Sequence, residues 1–369
     1  MIDMELLKAN PSTLPERYRH LSQGEVDERI QRARDTLGQD LVIMGHHYQR
    51  DEVFRFADFT GDSLELARIA EKQSRARYIV FCGVHFMAET ADILTGEGQT
   101  VILPDRRAGC SMADMAAIDE LEEAWEVMQR ELGDTILPVT YVNSSADIKA
   151  FVGRHGGTTC TSSNAAGVLK WAFSQKKRIL FLPDQHLGRN TSHGMGIPLQ
   201  QMAVWDPVHG QWEDVKGPME GLCVLLWKGY CSVHTKFTVE QIRQVRERDP
   251  ETRVIVHPEC TFDVVQAADE NGSTSYIIQR IEQASPGSKW AVGTEVNLVQ
   301  RLAQNHPEQQ IQLLSRTMCP CLTMNRIDRP HLLWALESLL AGDPVNRVSV
   351  DRETSYWAKQ ALDRMLSIV

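Results

Sequence analysis

The chain has 369 residues, 42% of them hydrophobic and 24% charged, and a formal net charge of −10. That length exceeds one ordinary hydrophobic core and predicts two or three domains. The acidic balance excludes a broad nucleic-acid or anionic-membrane surface, and no apolar run approaches the roughly 20 residues that span a bilayer. The opening stretch MIDMELLKANPSTLPERYRH lacks the basic region and apolar core of a signal peptide, so a cytoplasmic, reducing compartment is expected. In that setting the eight cysteines read as buried hydrophobes, nucleophiles or metal ligands rather than as disulfides.

In chain order, short apolar runs alternate with polar loops and helix-period segments. The runs are LVIMGHHY (41–48), YIVFCGVHF (78–86), VILPD (101–105), ILPVTYVN (136–143) and TTCTSSN (158–164). They continue with RILFLPD (178–184), VLLWKGY (224–230), RVIVHPE (253–259), WAVGTEV (290–296) and IQLLS (311–315). Continuous rather than alternating runs suit parallel strands covered on both faces. DSLELARIAEKQ, SADIKAFVGRHG, SNAAGVLKWAFSQ and TVEQIRQVRER carry helical periodicity between them, which argues for α/β layers. RPHLLWALESLLAG and SYWAKQALDRMLSI predict C-terminal helices packed back on the body.

Nearly every run ends in a polar or reactive cluster, such as GHHYQ, TYVNSS, TSSN, PDQHLG, KGYC or HPEC. In open α/β sheets ligands bind beyond the carboxyl ends of the strands, so these clusters mark the site. The runs also form three groups, each closed by a cysteine loop: Cys110 in AGCSMADM, Cys231 in KGYCSVH, and Cys319 or Cys321 in MCPCLTM. The predicted domains are therefore 1–40 (helical), 41–133, 134–248 and 249–326 (three αβα units), and 327–369 (C-terminal helices).

Three lone thiols far apart in sequence suit no zinc finger or ribbon, whose ligands come in close pairs. They suit a [4Fe–4S] cluster with one iron free of protein ligands, set against three unrelated buried cysteines. Cys82 and Cys223, inside apolar runs, read as core residues.

GHHYQRDEVFRFADFTGDSLELAR, FCGVHFMAETADIL, LPDRRAGCSMADM, TYVNSSADIKA, TSSNA, LPDQHLGRN, HPEC, GST and CPCLTMN occur in an order that resembles the quinolinate synthases. The resemblance runs from about residue 41 to 326, and the length and CPCLTMN loop resemble the longer, Bacillus-like branch. It implies a [4Fe–4S] enzyme of NAD biosynthesis that condenses iminosuccinate with dihydroxyacetone phosphate and releases phosphate and two waters. L-aspartate oxidase is the implied source of iminosuccinate. The implied fold is three αβα domains around a pseudo-threefold axis, one cysteine from each reaching the cluster.

The resemblance also carries roles onto matched positions. Tyr48, His257 and Glu259 fall on catalytic positions. His46, Ser63, Tyr141, Val142, Asn143, Ser162, His257, Pro258, Glu259 and Thr274 fall on substrate-binding ones. Cys110, Cys231 and one of Cys319 and Cys321 fall on cluster ligands, and the two loop cysteines cannot both hold one corner. The chemistry is consistent: two carboxylates and a phosphate need hydroxyl and amide donors, and isomerisation and dehydration need proton shuttles.

Other roles stay open at this level. Ser63 and Ser162 also suit helix N-caps, and His47 a structural histidine. His85 and Glu89 take no assignment. Arg189 suits either an anion or an ion pair. Cys260 could pair with a spare loop thiol. The competing functions are another [4Fe–4S] hydro-lyase acting on a small acid, and a non-enzymatic redox sensor.

Overall fold

All ten apolar runs hold strands in the computed structural model, which describes residues 14–73, 75–96, 98–315, 317 and 320–368. The strands are β1 (Leu41–His46), β2 (Phe59–Gly61), β3 (Tyr78–Cys82), β4 (Thr100–Ile102) and β5 (Ile136–Tyr141). Next come β6 (Thr158–Cys160), β7 (Arg178–Leu182), β8 (Met202–Asp206), β9 (Gln211–Glu213) and β10 (Val224–Trp227). The last are β11 (Arg253–Val256), β12 (Glu270–Asn271), β13 (Lys289–Gly293), β14 (Gln310–Leu313) and β15 (Arg347–Val348). They form three sheets, ordered β15-β4-β3-β1-β2, β6-β5-β7-β10-β8-β9 and β12-β11-β13-β14. Every pairing is parallel except β15 with β4 and β8 with β9. The chain is thus α/β with mostly parallel sheets. β1, β3, β5, β7 and β10 are buried along their whole length, the state their unbroken apolar sequences predict.

The contacts divide the chain into two compact units. One holds the described residues up to Gly61, with Glu65–Cys110 and Leu322–Ser349. Its sheet is the first of the three, and helix Arg329–Leu340 packs on helix Gln23–Leu37. Glu337 joins these helices by a two-pronged bond with Arg29 at 2.7 and 2.8 Å.

The other unit holds Asp62–Leu64, Ser111–Cys321 and the chain from Val350, with the second and third sheets. Its larger core is built from Met128, Ile148, Phe151, Leu180, Leu225 and Trp227, and a smaller one surrounds Val254, Val256, Cys260 and Val264. Helix Arg352–Ser367 lies on helix Ala146–Arg154, and a Cβ on Gly153 would collide with the Trp357 carbonyl oxygen. Gly153→Ala is therefore expected to destabilise the fold by about 1–3 kcal/mol, against the ~1 kcal/mol that alanine gains by helix propensity. Scanning calorimetry should show a lower melting temperature; an unchanged or higher one would mean the helices separate freely at this crossing.

Candidate active site

In the first unit the site residues follow β1. His46 ends the strand and is buried, and its Nδ1 accepts the Tyr48 N–H at 3.1 Å. The two rings meet edge-on, 4.8 Å apart. The next residues clasp the segment after Cys321: Gln49 Nε2 donates to the Met324 carbonyl at 3.4 Å, and Arg50 Nε to Asn325 Oδ1 at 3.2 Å. Cys110 closes a turn shaped by Asp105, whose carboxylate accepts the Arg107 N–H at 2.9 Å and grips its guanidinium. The turn is pinned by the His85 N–H on the Ala108 carbonyl at 2.8 Å. His85 itself faces Glu89 at 3.6 Å, and His47 faces Glu65 at 3.8 Å.

In the second unit β5 delivers Tyr141 and Val142, both buried, and then Asn143. The turn is held from within, since Ser144 Oγ donates to the Tyr141 carbonyl at 2.8 Å and the buried Lys149 ammonium to the Ser144 carbonyl. Asn143 Oδ1 is buried and has no hydrogen-bond partner among the described residues. A buried acceptor without a partner costs about 1–3 kcal/mol.

β10 runs through Gly229 into Cys231. A side chain at Gly229 would strike the Pro183 carbonyl, and Gln185 N–H donates to the Gly229 carbonyl at 3.0 Å, so the PDQ turn fixes the approach to the thiol. One turn later His234 Nδ1 stands 3.2 Å from Cys231 Sγ and 2.7 Å from Glu259 Oε2. Its Nε2 meets Thr294 Oγ1 at 3.1 Å, and its ring stacks on His257 at 4.5 Å. Cys231, His234 and Glu259 hold donor atoms all within 4.8 Å of one another. Ser111, which follows Cys110 in the sequence, has its Oγ 3.5 Å from that of Ser232.

Electrostatics separate the roles. Burial drives the His257 pKa to about 3, with the charge on Glu259 opposing, so His257 is neutral near pH 7. Its Nδ1 accepts the Glu259 N–H at 3.3 Å, which assigns the ring proton to Nε2. Burial disfavours the Glu259 carboxylate, but the histidines and the hydrogen bonds from His234 and Tyr141 outweigh it and hold the group well below the carboxylate range. A neutral His257 supplies little charge, so the His234 and Tyr141 bonds carry that effect. Nearby, burial and then the charge on Glu259 push Asp184 well above the usual range. Asp184 Oδ1 caps helix Gln185–Gly194, while its Oδ2 is buried without a partner among the described residues.

Two of the remaining predicted residues sit at helix starts. Ser63 opens helix Ser63–Lys72 and Thr274 opens helix Thr274–Glu282. Asn164 takes the cap position of helix Ala165–Gln175, so Ser162 does not cap it, and Asp62 rather than Ser63 precedes the earlier helix. Arg189 pairs with Asp214 at 3.2 Å. Cys321 is half-buried, with its N–H 3.2 Å from Glu295 Oε1; burial raises Glu295 to a pKa of about 7. Cys319 lies outside the described residues. Cys260 is wholly buried in the third sheet's core, which withdraws it from thiol exchange. Cys223, expected in the core, is half-buried beside Gln201, 3.5 Å away. A second donor group, Asp206, His209 and Glu213, is closed by the Lys228 ammonium, 2.6 Å from Asp206 and 2.7 Å from Glu213.

Sequence reasoning passed over His234, although the Cys231-x-x-His234 spacing puts both on one face of a single turn. It also passed over Asp62 and Asp184, whose effects depend on partners distant in sequence.

Residues 28–367 match the family model described as "NadA: Quinolinate synthetase A protein". The chain is 60% identical over 363 residues to the quinolinate synthase of Bacillus velezensis, covering 98% of each. It is 60% identical over 355 residues to that of Anoxybacillus flavithermus (96% of each), and 58% over 365 residues to that of Bacillus subtilis (99% of each).

Proposed function

This chain belongs to the quinolinate synthase family of enzymes, and on that premise we propose that it condenses iminosuccinate with dihydroxyacetone phosphate to give quinolinate, phosphate and two waters for NAD biosynthesis. The observation that carries this reading is the hydrogen-bonded set of His234, Glu259, Tyr141 and His257 beside the Cys231 thiol. It combines proton carriers with a soft metal donor in one buried place. The three sheets are read as the cores of three αβα domains, 41–133, 134–248 and 249–326, each contributing one thiol.

The cysteines fit a [4Fe–4S] cluster. Cys82, Cys160 and Cys260 are wholly buried, and burial lifts the Cys82 thiol to about 12 and the other two well above their usual value. Cys110, Cys231 and Cys321 are half-buried, as is Cys223, which precedes its strand β10 whereas Cys231 follows it. When bound through Cys110, Cys231 and Cys321, the cluster supplies a Lewis-acidic iron able to grip a carboxylate or hydroxyl. Cys321 is the preferred loop ligand, because Glu295 anchors its amide.

The chain's own groups do the rest. His46, Ser63, the 141–143 segment, Ser162, Pro258 and Thr274 hold the carboxylates and phosphate. The buried Asn143 Oδ1 accepts from the bound substrate. His257, with its proton on Nε2, donates to substrate oxygen during isomerisation. Glu259 takes and returns protons after the two substrates have joined, and Tyr48 orients the reacting carbonyl. An aspartate oxidase would supply the short-lived iminosuccinate.

Cys231, His234 and Glu259 also favour a second reading, a single metal ion held between them. In the structure His234 and Glu259 are already bonded to each other, which opposes it. Metal analysis after anaerobic reconstitution separates the two. About four irons with equal sulfide per chain support the cluster; one metal without sulfide supports the mononuclear site.

A further inference from the structure

Three of the proposed substrate residues, Ser63, Ser162 and Thr274, come from stretches remote in sequence, yet the residue beside each is tied to one carboxylate. Asp62, immediately before Ser63, is buried at 6% exposure. Its Oδ2 accepts the Ser163 hydroxyl at 2.8 Å and the Ser275 hydroxyl at 2.6 Å. Its Oδ1 accepts the Leu64 N–H at 2.9 Å. Ser163 follows Ser162, and Ser275 follows Thr274.

Each turn is also stiffened from within. The Thr161 N–H donates to Asn164 Oδ1 at 2.7 Å, and Ser273 Oγ caps its helix by accepting the Tyr276 N–H at 3.2 Å. Each turn leads directly into a helix, Ser63–Lys72, Ala165–Gln175 or Thr274–Glu282. Two hydroxyls and a backbone N–H donate to this one carboxylate, and such charge-assisted bonds are about twice as strong as neutral ones. A carboxylate satisfied in this way is a good anchor.

We propose that Asp62 is a positioning residue: its carboxylate, by holding Ser163 and Ser275 beside its own turn, sets the spacing of Ser63, Ser162 and Thr274 and so the fit for the dianionic substrates. The idea rests on the proposed function for the identity of those substrates and on the structure alone for the clamp. Asn at this position keeps the shape and the Oδ1 acceptor but places an amide NH2 where two hydroxyls now donate.

The test uses the full chain with its iron complement restored. In Asp62→Asn, KM for both substrates is expected to rise roughly 10–100-fold, the loss typical of one or two charge-assisted bonds, while kcat changes by less than about 3-fold. Iron content stays at the wild-type level. The double variant Ser163→Ala/Ser275→Ala should reproduce the rise, and adding Asp62→Asn to it should give little more, because the three groups act as one unit. Hydrogen exchange of Asp62→Asn without substrate should quicken in 62–64, 161–164 and 273–276 together and nowhere else. An unchanged KM, a fall in kcat alone, or additive losses would overturn the clamp. If wild-type enzyme makes no quinolinate, the functional reading fails, and the exchange arm still decides: loosening of all three turns upholds the clamp and unchanged protection refutes it.

Discussion

Cys110→Ser and Cys231→Ser are each expected to abolish both iron retention and quinolinate formation. A serine oxygen is a harder ligand than a thiolate sulfur, its hydroxyl is far less acidic than a thiol, and a three-thiolate site has no spare donor at either corner. Cys231 is additionally placed by the Gly229 approach and by the Thr235 hydroxyl on its own carbonyl at 2.8 Å. The fold should survive, since both side chains are only half-buried. The loop gives a graded version of the same result: Cys321→Ser loses iron and activity, and Cys319→Ser keeps both. Iron and sulfide after anaerobic reconstitution, beside a melting curve, read each outcome. Full iron in Cys110→Ser or Cys231→Ser would remove that residue from the ligand set, and two active loop variants would place the third ligand elsewhere.

Glu259→Gln is expected to lower kcat by roughly 10²–10⁴-fold, the usual share of a general acid–base group, while iron content stays normal. Glutamine preserves the length and an acceptor for His234, but it cannot carry the proton. The carboxylate is supported on two sides, by His234 Nδ1 at 2.7 Å and by the Tyr141 hydroxyl, so the variant keeps its neighbours in register. Because the proposed shuttle acts after the substrates have joined, rapid-quench analysis should find a condensed intermediate. Loss of iron or unfolding would make Glu259 structural, and near-normal turnover would end its catalytic assignment.

Much of this was legible in the sequence because parallel strands buried on both faces write themselves as unbroken apolar runs, and the runs ending in GHHYQ, TYVN, KGYC and HPE put chemistry where such sheets bind ligands. Four helices were legible through the periodicity of DSLELARIAEKQ, SADIKAFVGRHG, SNAAGVLKWAFSQ and TVEQIRQVRER, but their caps were not: Ser145 and Thr238 cap two of them, and Asn164 rather than Ser162 stands at the cap position of a third. The strands that escaped are mostly short edges such as Phe59–Gly61, Glu270–Asn271 and Arg347–Val348, too brief to show a period. Met202–Asp206 is a true buried strand, but it breaks off at Asp206-Pro207 without a reactive cluster to mark it.

In the candidate site, the sequence marked residues to consider but not how they are coupled. The charge on Glu259 is decided by His234, on the 3₁₀ turn after Cys231, and by Tyr141, at the end of another sheet's strand. Asp62 likewise reads as a spacer before Ser63 until Ser163 and Ser275 are seen on its oxygen. Spacing reports residues on one element; hydrogen bonds between elements require the fold.

The most direct measurement is product formation by the anaerobically reconstituted wild-type chain, supplied with dihydroxyacetone phosphate and with iminosuccinate generated in place from aspartate by an oxidase. Quinolinate identified by mass, released with one phosphate each and only when both substrates are present, is the predicted result. A chain carrying its full iron and sulfide that forms no quinolinate under those conditions would contradict the account.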